Sequence, residues 1–188
     1  MDRKAARALK QAGNVLSTLL LVAVLLLAVA LAGVRLFGLT PFAVVSGSME
    51  PELPVGCLVY VKKVPAEEIE VGDAISFVLN EDLVVATHQV REIDLEGGRF
   101  YTQGINNRDE EGNILPDGSP VLFENYLGKV VAHIPLLGYI SQYISNPPGL
   151  YVAIGAVGIL LGLCLLTESG GKKEKQEGQP AAHIRKER

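Results

Sequence analysis

One short stretch of this chain carries a side chain that could act as a nucleophile. In Ser46-Gly47-Ser48-Met49-Glu50-Pro51 a serine stands between a glycine and a methionine, just past an apolar run, and Pro51 ends regular structure. Gly47 permits unusual backbone angles and close approach of a substrate backbone. A serine hydroxyl is a weak nucleophile until a base lies within hydrogen-bonding reach, so a base must be found elsewhere. The middle of the chain offers two histidines. His88 ends the β-like run Val84-Val85-Ala86-Thr87, beside polar residues; His133 stands in Val130-Val131-Ala132-His133-Ile134 and reads as a packed or interfacial residue. A neutral imidazole accepts a hydroxyl proton near neutral pH, and an acidic group usually fixes its tautomer. Asp109, Glu110, Glu111 and Asp117, which follow Thr102-Gln103-Gly104-Ile105-Asn106-Asn107, are the acids in range. The chemistry these types would support is acyl transfer through Ser48.

The elements that must position these residues come from the pattern of the whole chain of 188 residues, with its net charge of −4. That charge is unevenly spread: residues 1–37 sum to +4, residues 38–148 to −10 and residues 149–188 to +2. An acidic middle excludes nucleic acid as a partner. Two cysteines, Cys57 and Cys164, exclude a disulfide scaffold, and no Cys/His cluster has zinc spacing. Between residues 42 and 134 the apolar runs are short, rich in Val, Ile, Phe and Tyr, and separated by Gly, Pro, Asn and Asp. They include residues 42–45, 58–61, 74–78, 84–86, 100–102 and 129–132. That pattern predicts a small all-β domain. A short helix is expected over residues 136–145.

Two longer apolar runs flank this domain. Val15 to Val34 holds 20 residues without a charge, about 30 Å of helix, which matches a bilayer core and exceeds the h-region of a cleaved signal peptide. Leu150 to Leu166 holds 17, near the short limit for a span. Basic residues lie at the outer end of both. The positive-inside rule therefore places both termini in the cytoplasm and the acidic domain across the membrane. The expected organisation is a cytoplasmic N-terminus (1–14), a transmembrane helix (15–34), an extracytoplasmic β-rich domain (35–149), a second transmembrane helix (150–166) and a polar, disordered cytoplasmic tail (167–188). The fold class is mainly β, flanked by two transmembrane helices, in a multi-pass protein of the cell membrane.

Four ordered motifs give the chain a specific resemblance. Ser46-Gly47-Ser48-Met49-Glu50-Pro51, then Val71-Gly72-Asp73-Ala74-Ile75-Ser76-Phe77, then Thr87-His88-Gln89-Val90-Arg91-Glu92-Ile93, then Thr102-Gln103-Gly104-x-Asn106-Asn107 resemble the successive boxes of type I signal peptidases over about residues 15–150. With His88 where the main bacterial branch has Lys, the chain is similar to the endoplasmic-reticulum-type branch found in archaea, eukaryotes and some Gram-positive bacteria. The resemblance implies a membrane-anchored serine endopeptidase that removes signal peptides from exported preproteins at the outer membrane face, with small side chains flanking the cut. Its partners would be signal peptides and the lipid bilayer, and no metal or organic cofactor is implied. It makes Ser48 the nucleophile and His88 the general base. The amide of Ser48 and the hydroxyl of Ser46 would line the oxyanion hole. Lys62 and Lys63 read as surface residues, and Asp73 as a turn-holding structural residue.

One departure bears on activity. Family members commonly carry an aspartate right after the glycine of the fourth box, where this chain has Ile105. The supporting acid is then Asp117 or Asp109. The register of Asp117-Gly118-Ser119-Pro120-Val121 favours Asp117 and makes residues 108–116 largely an inserted loop. The competing readings are a catalytically impaired binding or scaffold protein of the same fold, a self-cleaving regulator of the related repressor type, and an unrelated membrane-anchored β module.

Overall fold

The computed structural model describes residues 3–79 and 84–162, with side chains from residue 11 onward. The apolar N-terminal run is helical, as its unbroken series of Leu, Val and Ala requires. Helix α1 covers Arg3–Leu31, and its stretch Gln11–Leu31 is long and apolar enough to cross a membrane, with a mean hydropathy of 2.6. The helix ends three residues earlier than the apolar run, because a tight 3-10 turn follows at Gly33–Phe37, closed by Gly38 in the left-handed region (φ 74°). Val34 therefore belongs to that turn, not to the span.

A compact unit runs over Ala28–Leu150. Its strands are β1 (Leu39–Ala43), β2 (Leu58–Lys62), β3 (Ala74–Val78), β4 (Val85–Asp94), β5 (Arg99–Arg108), β6 (Ile114–Pro116), β7 (Val121–Leu122) and β8 (Tyr126–Ile134). They form one antiparallel sheet in the order β1-β2-β8-β3-β4-β5-β6, with β7 paired to β5. The domain begins before residue 35, because the Tyr60 hydroxyl donates to the Ala30 carbonyl (2.9 Å) and ties β2 to the last turn of α1.

Two apolar clusters hold the sheet. One gathers Ile69, Ile75, Phe77, Val90, Phe100, Val121 and Tyr126; the other gathers Met49, Leu53, Cys57, Val59 and Val61. Each large side chain withdrawn from water in this way contributes about 1.5–3 kcal/mol before entropy is charged against it. In β2 four consecutive residues, Leu58 to Val61, are buried, so both faces of that strand are covered. Part of that cover is α2 (Leu137–Ser145), whose Gly138 N–H donates to the Gly56 carbonyl (2.9 Å). A Cβ on Gly138 would stand 2.3 Å from the Cys57 carbonyl oxygen, so only glycine lets the helix lie this close.

Several expectations change. Residues 108–116 are not simply a loop: β5 runs to Arg108 and β6 returns at Ile114, a hairpin whose turn contains Asp109. The first strand is Leu39–Ala43 rather than residues 42–45; Pro41 is tolerated because β1 is an edge strand. His133 is not packed; it is exposed near the end of β8, whose outer half carries no covering layer. Among the described residues the second apolar run is helical over Gly149–Gly162, and that stretch meets the length and hydropathy required of a span only when counted with α2, across a break. Residues 163–166 of that run and the tail lie outside the described residues.

Candidate active site

The nucleophile candidate sits on the turn that follows β1. Glu50 N–H donates to the Gly47 carbonyl (3.1 Å) and Leu53 N–H to the Met49 carbonyl (2.9 Å), which curls residues 47–53 into consecutive turns. Met49 is 2% exposed and plugs the second apolar cluster. Its neighbour Ser48 is half-buried, with its hydroxyl within reach of His88. The Ser–Met pair is thus a hydroxyl presented on an apolar anchor. Ser48 N–H donates to no group among the described residues.

His88 lies on β4 opposite Ile75 of β3, with its ring edge-to-face on Phe77 (6.1 Å between centroids, 72°). Its Nε2 is 3.1 Å from Ser48 Oγ and its Nδ1 is 2.6 Å from Asp117 Oδ2. Asp117 follows β6, and two contacts fix it to β5. Its N–H donates to the Thr102 carbonyl (2.9 Å), and the Thr102 hydroxyl donates to Asp117 Oδ2 (2.6 Å). Burial alone would push the Asp117 carboxyl up. The bonds from His88 and Thr102, with the attraction to His88, outweigh it and hold the carboxyl below its usual value of 3.8. A charged Asp117 accepts the Nδ1 proton, which leaves the Nε2 lone pair facing Ser48 Oγ–H. Ser48, His88 and Asp117 come from positions 40 and 29 residues apart, so only the sheet brings them together.

The other expected residues take different places. Asp109 is engaged within its own turn. Its carboxylate accepts from Asn113 N–H (2.7 Å), Glu111 N–H (3.0 Å) and Asn113 Nδ2 (3.0 Å), and these bonds, the Asn113 side chain foremost, hold its carboxyl low. Of the two acids, the structure brings Asp117 to His88 and leaves Asp109 on the hairpin. Ser46 Oγ lies 3.3 Å from Ser48 Oγ. Ile105 packs against the Met49 cluster and supports the floor of the nucleophile turn. Lys62 and Lys63 are exposed, and Lys129 pairs with Asp73 (2.7 Å). Asp73 also accepts from Glu70 N–H (2.9 Å), which makes it a turn holder.

Two residues to which the sequence assigned no role touch the site. Thr102 is one. Asn106 is the other: its backbone N–H donates to the Ser48 carbonyl (2.8 Å) and its side-chain Nδ2 to the Gly47 carbonyl (2.9 Å). A signal was present in the alternation Thr102-x-Gly104-x-Asn106, which sets all three on one face of a strand.

A cleft of about 340 Å³ opens beside Ser48 and His88, walled by Phe42, Val44, Met49, Leu53, Val84 and Ala86. On β4 the pairing with β5 begins at Gln89, so among the described residues Val85 to Thr87 have a strand partner only on their β3 side.

A β domain that presents a hydrogen-bonded serine–histidine–aspartate row at the mouth of an apolar cleft has the build of a serine peptidase. The comparisons narrow that class. The sequence model of the family described as signal peptidase, peptidase S26, matches residues 16–104. The signal peptidase complex catalytic subunit SEC11 of Fusarium vanettenii is 30% identical over 123 residues, covering 63% of this chain and 72% of the relative. The proteins of the same name in Neurospora crassa and Pyrenophora tritici-repentis are 29% and 31% identical, covering 63% of this chain and 72% and 71% of theirs. The chain belongs to the type I signal peptidases of the endoplasmic-reticulum type and is a serine endopeptidase.

Proposed function

We propose that this protein is a membrane-anchored enzyme that removes signal peptides from exported preproteins, with Ser48 as nucleophile, His88 as general base and Asp117 as the acid that orients and stabilises the imidazole. The observation that carries this reading is the continuous row from Ser48 Oγ through His88 to Asp117, at 3.1 and 2.6 Å. His88 Nε2 takes the Ser48 proton as Oγ attacks the scissile carbonyl. The tetrahedral oxyanion is met by the free Ser48 N–H and the Ser46 hydroxyl. His88 then gives its proton to the leaving amine, which departs with the mature protein and leaves the signal peptide esterified to Ser48. A water, deprotonated by His88, hydrolyses the ester and restores Ser48.

The substrate is an extended peptide. Laid along Val85 to Thr87 it would complete a strand pairing on the side of β4 that β5 leaves open, with alternate side chains directed into the apolar cleft. Among the described residues the cleft is lined by apolar and hydroxyl side chains and by His88, which suits small, uncharged residues before the cut. The anchor α1 confines enzyme and substrate to one surface, which raises their encounter without new contacts. The basic residues Arg3, Lys4, Arg7 and Lys10 ahead of the apolar stretch support an N-terminus in the cytoplasm. The second apolar run, from Leu150, takes the chain back toward the cytoplasm, and the β domain between the two apolar runs works on the outer face of the cell membrane. The named relatives are catalytic subunits of a signal peptidase complex, and partner subunits are a further proposal for this chain.

The test is cleavage of a membrane-inserted preprotein by the full chain and its variants. Ser48→Ala and His88→Ala are expected to lose about a thousandfold or more. Ser48→Ala cleaving like wild type would sink the proposal, and a protease-accessible C-terminus on the outer face would remove the second span.

A further inference from the structure

Strand β5 crosses beneath both ends of the Ser48–His88–Asp117 row. We propose that it is the alignment element of the site, with Thr102 and Asn106 as positioning residues: Thr102 sets the carboxylate that faces His88, and Asn106 sets the turn that presents Ser48. The inference rests on the assignment of Ser48, His88 and Asp117 made above.

Thr102 is 2% exposed and grips Asp117 twice, by its hydroxyl at Oδ2 and by its carbonyl at the Asp117 N–H. The hydroxyl bonds the same oxygen that meets His88 Nδ1, so it fixes the direction of that lone pair. A carboxylate that turns about its χ2 would lose the imidazole; one held from the side by a buried donor does not turn. Four residues along, Asn106 closes two bonds onto the carbonyls of Gly47 and Ser48. Those bonds orient the peptide planes on either side of the Ser48 Cα, and with them the Ser48 N–H proposed for the oxyanion. Gly104, between the two, leaves the space that the turn occupies: a Cβ there would stand 2.9 Å from the Ser48 carbonyl oxygen. At about 3.3 Å per residue, Thr102 and Asn106 lie roughly 13 Å apart on one strand. That strand is paired to β4 over Arg99 to Gln103 and held in the core by Phe100, and beyond Gln103 Asn106 bonds it to the Ser48 turn. Acid and nucleophile therefore take their positions from one strand. The arrangement also accounts for Ile105: with Asp117 held by Thr102, position 105 is used to pack the floor under Met49.

The experiment uses the full chain in detergent or vesicles with a preprotein substrate, and reads kcat, KM, the pH profile of kcat and thermal unfolding. Thr102→Val is expected to lower kcat about tenfold with little change in KM. Loss of a donor to Asp117 should also move the acidic limb of the profile to higher pH. Thr102→Ser, which keeps the hydroxyl, should restore most of the rate. Asn106→Ala, at an exposed position, should lower kcat about tenfold at unchanged unfolding temperature. Folded Thr102→Val with the wild-type kcat and limb overturns the proposal. If Thr102→Val does not fold, Asn106→Ala decides, and an unchanged kcat there overturns it. Ser48→Ala is run alongside: if it remains active the functional reading itself fails, whereas an inactive Ser48→Ala with unaffected Thr102 and Asn106 variants fails this inference alone.

Discussion

Replacing Asp117 with asparagine removes one charge and leaves the shape of the side chain intact. In the resting site the carboxylate accepts two short bonds on one oxygen, from His88 Nδ1 and from the Thr102 hydroxyl, each 2.6 Å. Its charge counts most when His88 has taken the Ser48 proton, because only then does it face an imidazolium. Opposite charges about 4 Å apart at an effective dielectric of about 20 attract by about 4 kcal/mol. The side chains are 14% and 21% exposed, so solvent screens part of this, and about 2–4 kcal/mol of transition-state stabilisation remains. The rate of the Asn variant should then fall by about 30- to 1,000-fold. The loss grows further if the amide turns its NH2 toward Nδ1, since His88 would then carry its proton on Nε2 and could not accept the one on Ser48. The assay is single-turnover cleavage of a preprotein in vesicles, with Asp109→Asn beside it. Asp109 serves its own hairpin turn, so its variant should cleave at close to the wild-type rate. Asp117→Asn within threefold of wild type, or a dead Asp109→Asn beside an active Asp117→Asn, would refute the reasoning.

The direction of the Asp117 shift fixes a pH dependence. A carboxyl whose folded value is lowered contributes stability that is complete above its unfolded value near 3.8 and is lost as pH falls through the lower folded value. Thermal unfolding against pH should therefore drop more steeply for wild type than for Asp117→Asn below about pH 4. Met49→Ala should destabilise the domain by about 2–5 kcal/mol in chemical denaturation, with a matching loss of cleavage because the Ser48 turn loses its plug. Gly104→Ala places a methyl 2.9 Å from the Ser48 carbonyl oxygen; cleavage should fall at least about tenfold while the circular dichroism of the sheet persists.

The sheet was legible because its strands are short β-branched runs cut by turn residues, and Ala74–Val78 coincides with the expected strand. The longer extent of β4 and β5 was hidden. Their outer halves carry Arg91, Glu92, Asn107 and Arg108, which interrupt an apolar count but extend a ladder well when one side faces water. Ser48 and His88 could be named from local motifs. The choice of Asp117 over Asp109 rested on register alone, and only the hairpin, which folds Asp109 back on Asn113, separates them in space. For Thr102 and Asn106 the sequence carries only the alternation that puts them on one face of a strand. Their chemistry is hydrogen bonding to backbone and carboxylate, and that spacing does not encode which partners the strand will meet.

The central claim, that Ser48 attacks the preprotein with His88 as its base, predicts a covalent intermediate. Intact-protein and peptide-mapping mass spectrometry after acid quench of the full chain, mixed with a slowly turned-over preprotein, tests it most directly. The account predicts an adduct of the signal-peptide mass on Ser48, lost in Ser48→Ala and formed far more slowly in His88→Ala. Continued cleavage with no adduct, or an adduct mapped to a different residue, would contradict it.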